Sequence, residues 1–233
     1  MTHFLRFSLV AGVLLGGSDL LFSSLNQQLV MNPGAYAQTS PDLSLNAQLL
    51  VAARNDDLMT VRRVLNNGAA PNSRNRVGDS ALIIFVRKGN TEMVELLIGK
   101  GADVNLQNLD KVSPLMTAAY SGNAGIARTL LDHGADVNAR DHLFKTAMVY
   151  AAGQGNSEIV AMLLDAGVEI DKPYHHDLTA LMWAAGYGKS ETVEVLLARG
   201  ADVTLKDDRG KTAAEIARDA KYDELAQLLK VGK

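Results

Sequence analysis

Of the five histidines in this 233-residue chain, four lie beyond residue 37: His133, His142, His175 and His176. Imidazole nitrogens and carboxylates together are ligands for zinc, copper or nickel. His142 follows Asp141, and His175 and His176 precede Asp177. His142 and His175 are also 33 residues apart, a spacing that recurs along the chain. If the spacing marks units packed about 8 to 10 Å apart, neighbouring turns hold these histidines side by side, and His142, His175 or His176 could approach one metal ion. The plainer reading is exposed turn histidines with no ligand, because a stable site needs three or four converging ligands and loop tips hold them poorly. That reading is preferred, with metal handling kept as the alternative. His133 falls near a helix C-terminus, where the helix dipole explains it.

Catalysis is not expected. The chain has no phosphate-cradling glycine loop, no Gly-x-Ser-x-Gly elbow and no HExxH. With no cysteine there is no disulfide, thiolate metal site or cysteine nucleophile. Asp103, Asp136 and Asp202 fall at turns, where local hydrogen bonding accounts for them. No cofactor motif is present. The 23 basic and 26 acidic residues leave a net charge of -3 with no basic block, which argues against nucleic acid and against a polybasic membrane surface.

The elements that must carry any site are periodic. Gly68, Gly101, Gly134, Gly167 and Gly200 are each 33 residues apart, as are Ser80, Ser113, Thr146, Thr179 and Thr212. Ala-Ala pairs at 52–53, 118–119, 151–152 and 184–185 keep the same register. The Ser/Thr column supplies helix N-caps, and Pro114 suits a first helical turn. Each first helix ends at Gly89, Gly122, Gly155 or Gly188, and a second helix, such as the one containing Met93-Val94-Glu95-Leu96-Leu97, stops at the next glycine of the 33-residue column. A hairpin-like turn then leads to the next unit.

Gly134-Ala135-Asp136-Val137-Asn138-Ala139 and Ser113-Pro114-Leu115-Met116-Thr117-Ala118-Ala119 resemble the ankyrin repeat. The resemblance spans about residues 44 to 230. It implies an all-α solenoid with short hairpin-like turns and a protein-binding role. The expected division is repeats at about 44–74, 75–107, 108–140, 141–173 and 174–206, with a half-repeat C-terminal cap at 207–233. Twelve charged residues among the 27 from Asp207 to Lys233 suit a polar end, and Asn55-Asp56-Asp57 reads as the opposite cap.

Two departures from the family pattern stand out. Ile83, Met116, Val149 and Met182 occupy the place of the family's signature histidine, so its hydrogen-bond network is expected to be missing and inter-repeat rigidity reduced. The glycine two residues before the Ser/Thr column persists as Gly78 and Gly210 but becomes Lys111, Phe144 and Asp177, which predicts atypical turn tips.

Six of the eight aromatic residues beyond residue 37 fall in repeats three to five. Tyr120 and Tyr187 precede first-helix glycines, positions that the resemblance places on a concave groove; Tyr150 and Trp183 share a column near the same face. Leu109, Val112, Leu143, Phe144, Tyr174 and Leu178 stand where exposed tips would be polar. Together these residues read as a partner-binding surface. For Tyr150 and Trp183, ordinary packing between repeats explains the residues equally well. Arg74, Arg87, Lys88 and Arg140 flank the face and either steer an acidic partner or simply solvate it.

At the N-terminus, Arg6 precedes an apolar run, Phe7 to Gly17, too short to span a bilayer, and Ala35-Tyr36-Ala37 offers a signal-peptidase site. The expectation is a signal peptide over 1–37 cleaved after Ala37, a short segment 38–43, and a periplasmic or secreted protein. An uncleaved anchor from Phe7 to Met31 is the rival, opposed by Asp19 within it.

Overall fold

In the computed structural model residues 43–231 are described. The expected signal peptide and nearly all of segment 38–43 lie outside them. Helix pairs follow one another from Leu45 onward: α1 (Leu45–Asn55) and α2 (Leu58–Asn66), α3 (Ala81–Lys88) and α4 (Thr91–Gly99), α5 (Pro114–Ser121) and α6 (Ala124–Asp132). Then come α7 (Ala147–Gln154) and α8 (Ser157–Asp165), α9 (Ala180–Gly186) and α10 (Ser190–Ala198), α11 (Ala213–Asp219) and α12 (Asp223–Val231). The first helices α1, α3, α5, α7, α9 and α11 pack in one continuous row, and α4, α6, α8 and α10 pack in a second. No described helix is long and apolar enough to cross a membrane.

Short-range chemistry sets these boundaries. Ser80, Ser113, Thr179 and Thr212 each accept a backbone N–H at the start of a first helix; Thr146 stands in the same place without that bond. Asp56 ends α1 in the left-handed region, in place of a glycine, and Asp57 caps α2 by accepting from Thr60 N. The C-terminal end holds a full helix pair, α11 and α12, where half a repeat was expected. The capping box Thr212/Glu215 starts α11, and the apolar Leu225, Ala226 and Leu229 of α12 are buried, so the second helix covers the first.

The core lies between the two rows. Phe85, Leu82, Leu115, Met148 and Ile159 are fully buried. Ile83, Met116, Val149 and Met182, in the histidine column, are buried beside them, so apolar packing fills those places. Hydrogen bonds between repeats are made by asparagines elsewhere. Asn123 Nδ2 donates to Val86 O (3.2 Å) and Asn156 Nδ2 to Ala119 O (2.7 Å), each reaching back to the preceding first helix. In the loops, Asn72 Oδ1 accepts from Asp103 N and Asn105 Oδ1 from Asp136 N, at 2.8 and 2.7 Å. Exposed pairs such as Arg128–Glu158 and Arg199–Asp165 also join neighbouring second helices, but screening leaves each of them worth little.

Candidate partner-binding face

The tips that project between helix pairs are built by one repeated residue. Asn75 Oδ1 accepts from Val77 N and Asp79 N, at 3.0 and 2.9 Å, while Asn108 Oδ1 accepts from Asp110 N and Val112 N, at 3.0 and 2.9 Å. Asp141 Oδ1 does the same for Leu143 N and Lys145 N, both at 2.8 Å, and Asp207 Oδ1 for Arg209 N and Lys211 N. The backbone N–H of each anchor also donates to the carbonyl four residues on, at 3.0 Å in all four tips. Sequence reasoning missed this column, although its signal was present as Asn75, Asn108, Asp141 and Asp207 in the 33-residue register.

Repeat five breaks the column with Tyr174, whose phenol cannot close the turn in the same way. Its tip is a 3-10 turn over His175–Asp177, with His176 and Asp177 both in the left-handed region. The tips of repeats three and four differ from the expectation of irregularity. Lys111 (φ 59°) and Phe144 (φ 58°) take up left-handed backbone, as does Gly78 (φ 82°), so the turn keeps its form at a steric cost to the two non-glycine residues. At Gly78 the freedom is needed twice over, since a Cβ there would lie 2.6 Å from Leu109 N.

Adjacent tips are joined through their backbones. Leu109 N donates to Val77 O (3.2 Å), His142 N to Asp110 O (3.1 Å) and Asp208 N to His176 O (3.2 Å). Between repeats four and five the Phe144 ring stacks on His175 (centroids 6.4 Å, interplanar angle 10°). On this ridge Leu109 is 61% exposed and Phe144 58%; Leu143 and Val77 are also exposed. Val77 was not singled out from the sequence. Val112 and Leu178, expected at the exposed tips, are instead buried. Each is the closing residue of its tip, its carbonyl bonded by Asn108 N or Tyr174 N, which turns the side chain towards the helices. Tyr174 is half-buried, and burial raises its pKa.

Beside the tips the first helices carry an aromatic run. Tyr120 meets Tyr150 edge-on (centroids 5.9 Å), Lys145 Nζ lies 5.6 Å from the Tyr150 ring centre and 5.7 Å from that of Trp183, and Trp183 stacks on Tyr187 at 6.2 Å. Tyr187 lies across Gly153, 3.6 Å from where a Cβ would stand. Tyr150 and Trp183 are buried at 6% and 8% exposure, so of the two readings packing describes them, and as partner anchors they are corrected. Tyr120 and Tyr187 are half-buried. The Tyr150 hydroxyl donates to Asp141 Oδ2 (2.5 Å). Burial first, then the Asp141 charge and the hydrogen bond, push its pKa far above the usual phenol value.

Two of the basic residues are occupied within the fold rather than offered to a partner. Arg87 donates twice to buried Asp79 Oδ2, both at 3.0 Å, and Lys88 Nζ holds Arg54 O and Asp56 Oδ1 at 2.9 and 3.1 Å. Arg74 and Arg140 are exposed. The turn-tip histidines each have a different neighbour. His142 Nε2 contacts Leu109 O (2.8 Å), His175 faces Phe144, and His176 Nδ1 pairs with Asp208 Oδ2 (2.7 Å). Among the described residues no group of three His, Cys, Asp or Glu is placed to hold a metal ion. His133 caps α6, its Nδ1 2.8 Å from Thr129 O.

Paired helices stacked in two rows and joined tip to tip define a helical repeat protein of the interaction-module class. Residues 49–141 and 142–207 match the family model of ankyrin repeats in three copies, and the chain belongs to the ankyrin repeat family. Ankyrin repeats mediate protein–protein interaction and are typically non-enzymatic. No curated protein sequence matches the chain.

Proposed function

We propose that this chain is an exported, non-enzymatic interaction module that engages another protein across its turn tips and the Tyr120 and Tyr187 edge of the first-helix face. The observation carrying this reading is the run of exposed apolar side chains on three consecutive tips, Val77, Leu109, Leu143 and Phe144. Their backbones are fixed by the anchor column and by tip-to-tip hydrogen bonds, so the surface is ordered before a partner arrives. Exposed apolar area on a rigid frame has a high hydration cost that a partner relieves. Export rests on Arg6, the apolar run Phe7 to Gly17 and the Ala35-Tyr36-Ala37 site, and it places the module in a periplasm or outside the cell.

Affinity capture from exported-fraction extract, with the protein as bait beside a Tyr120→Ala, Leu143→Ala, Tyr187→Ala variant of equal helicity, tests the binding reading. A protein retained by the first and lost from the second is the expected result. Equal retention by both removes the site assignment. N-terminal sequencing of exported protein should begin at Gln38, and a start at Met1 refutes cleavage.

A further inference from the structure

Repeat five departs from its neighbours at three positions that tie or fill the stack elsewhere. We infer that the stack has a joint between repeats four and five, at which residues 174–231 open as one unit while repeats two to four stay closed. The inference concerns the free protein and does not depend on the proposed binding function.

The first position is the tip. Leu109 N to Val77 O, His142 N to Asp110 O and Asp208 N to His176 O form a series in the 33-residue register, and its remaining member, His175 N to Leu143 O, is not made. With Tyr174 in the anchor column, Leu178 N reaches only His175 O, at 3.5 Å. The second position is the start of the second helix. Asn90 caps α4 by accepting from Met93 N, and Asn123 and Asn156, next in that column, reach back to Val86 O and Ala119 O. Lys189 follows in the same register, and its ammonium neither accepts a cap bond at α10 nor holds Ala152 O, the next carbonyl of the series.

The third position is in the core. Met93, Ile126 and Ile159 fill one buried column, and Thr192 takes the next place with no exposed surface and no partner for its hydroxyl. The indole N–H of Trp183, in the same repeat, is buried and unpartnered as well. Buried polar groups without a bond destabilise the closed state, because opening returns them to water.

What does hold the joint is of another kind. On the outer side Asp202 N donates to Asp171 Oδ1, Ser157 Oγ to Glu191 and Arg199 to Asp165, all at exposed or half-buried side chains, where an ion pair is worth little. On the inner side the Phe144–His175 stack, Lys145 over Trp183 and Tyr187 across Gly153 are contacts between side chains or of a ring with the chain, without a backbone bond. Apolar packing is common to every junction, with Leu82, Leu115, Met148 and Leu181 buried in turn; the directional bonds are what this one lacks. The last two helix pairs, by contrast, are tied to each other by Asp208 N to His176 O, by the His176–Asp208 pair and by Tyr222 against Gly188, so they move together. Where each repeat touches only its neighbours, one poorly bonded repeat decides where opening begins. The joint also separates Leu143 from Tyr187, so opening it divides the proposed binding face.

Hydrogen exchange of the full-length protein, read by mass spectrometry over a series of low urea concentrations, tests this. Repeats two and five each lie one helix pair in from an end, so α3 and α4 control for fraying of the termini. Amides of α9 and α10 should exchange about tenfold faster than those of α3 and α4, with the same urea dependence as α11 and α12. Lys189→Asn with Thr192→Ile supplies the missing amide and the missing apolar side chain, and should slow exchange from α9 to α12 roughly tenfold while leaving α3 and α4 unchanged. Thr192→Ile alone should slow it about threefold, which keeps the test intact if the double variant folds poorly. Equal exchange in repeats two and five, exchange of α11 and α12 ahead of α9 and α10, or failure of both variants to slow exchange overturns the joint. The binding reading fails separately: a protein with this exchange pattern that captures no partner keeps the joint and loses the module.

Discussion

Tyr150→Phe isolates a polar contact that ties the aromatic run to a turn tip. Asp141 is buried; its Oδ1 accepts from Leu143 N and Lys145 N at 2.8 Å, and its Oδ2 accepts from the Tyr150 hydroxyl at 2.5 Å. Phenylalanine keeps the ring, its edge contact with Tyr120 and the Lys145 ammonium over its face. What is lost is a donor to a buried carboxylate oxygen, and hydrogen bonds to charged groups contribute about 1.5 to 3 kcal/mol. A loss near 2 kcal/mol is therefore expected, which for a domain of this size lowers Tm by roughly 4 to 8 °C. Urea unfolding followed by circular dichroism measures it, with Asp141→Ala and the double variant completing a cycle. If Tyr150 acts through Asp141, Tyr150→Phe should cost under about 0.5 kcal/mol in the Asp141→Ala background. A full-sized loss in that background, or no loss in the parent, would refute the assignment.

Phe144→Gly should make the protein about 0.5 to 1 kcal/mol more stable in urea while weakening partner binding, because glycine accepts the left-handed backbone of φ 58° and the exposed ring goes with the substitution. Gly188→Ala should cost about 2 kcal/mol against about 1 for Gly68→Ala, as both glycines have positive φ but only at Gly188 would a Cβ meet a ring, Tyr222, at 2.5 Å. Tyr222→Ala should bring the two costs together. Stability should fall as pH rises above about 10: burial raises the folded-state pKa of Tyr150 and Tyr174 above the unfolded value, so their contribution is whole below that pH and is lost as the unfolded chain ionises. The urea midpoint at pH 8 and 11 checks this, and the Tyr150→Phe, Tyr174→Phe double variant should flatten the fall.

The repeat and its helices were legible because their determinants are local. A Ser or Thr cap, a glycine stop and an apolar pair act within a few residues, and each recurs at 33. The second helix of the cap was missed because α12 reads as a charged segment; Leu225, Ala226 and Leu229 lie on one face of it, and only packing on α11 shows that face to be interior. The inter-repeat bonds were not legible for a related reason. The histidine column was visibly vacant, but nothing local says that Asn123 and Asn156 reach carbonyls 37 residues back.

The period, the helix ends, the family and the clustering of aromatic residues in repeats three to five are all written in the order of residues along the chain. The tertiary fold settled which of the candidate side chains are exposed. Leu109 and Val112 are three residues apart in one tip, yet the first stands in solvent and the second closes the turn and is buried. Arg87 and Arg74 were equal as basic neighbours until Asp79 was seen to hold the first. His142 and His175 share a column, but the first contacts Leu109 O and the second faces Phe144. Capping and periodicity act along the chain over a few residues, whereas exposure and pairing depend on what the neighbouring repeat places within 3 to 6 Å across the stack.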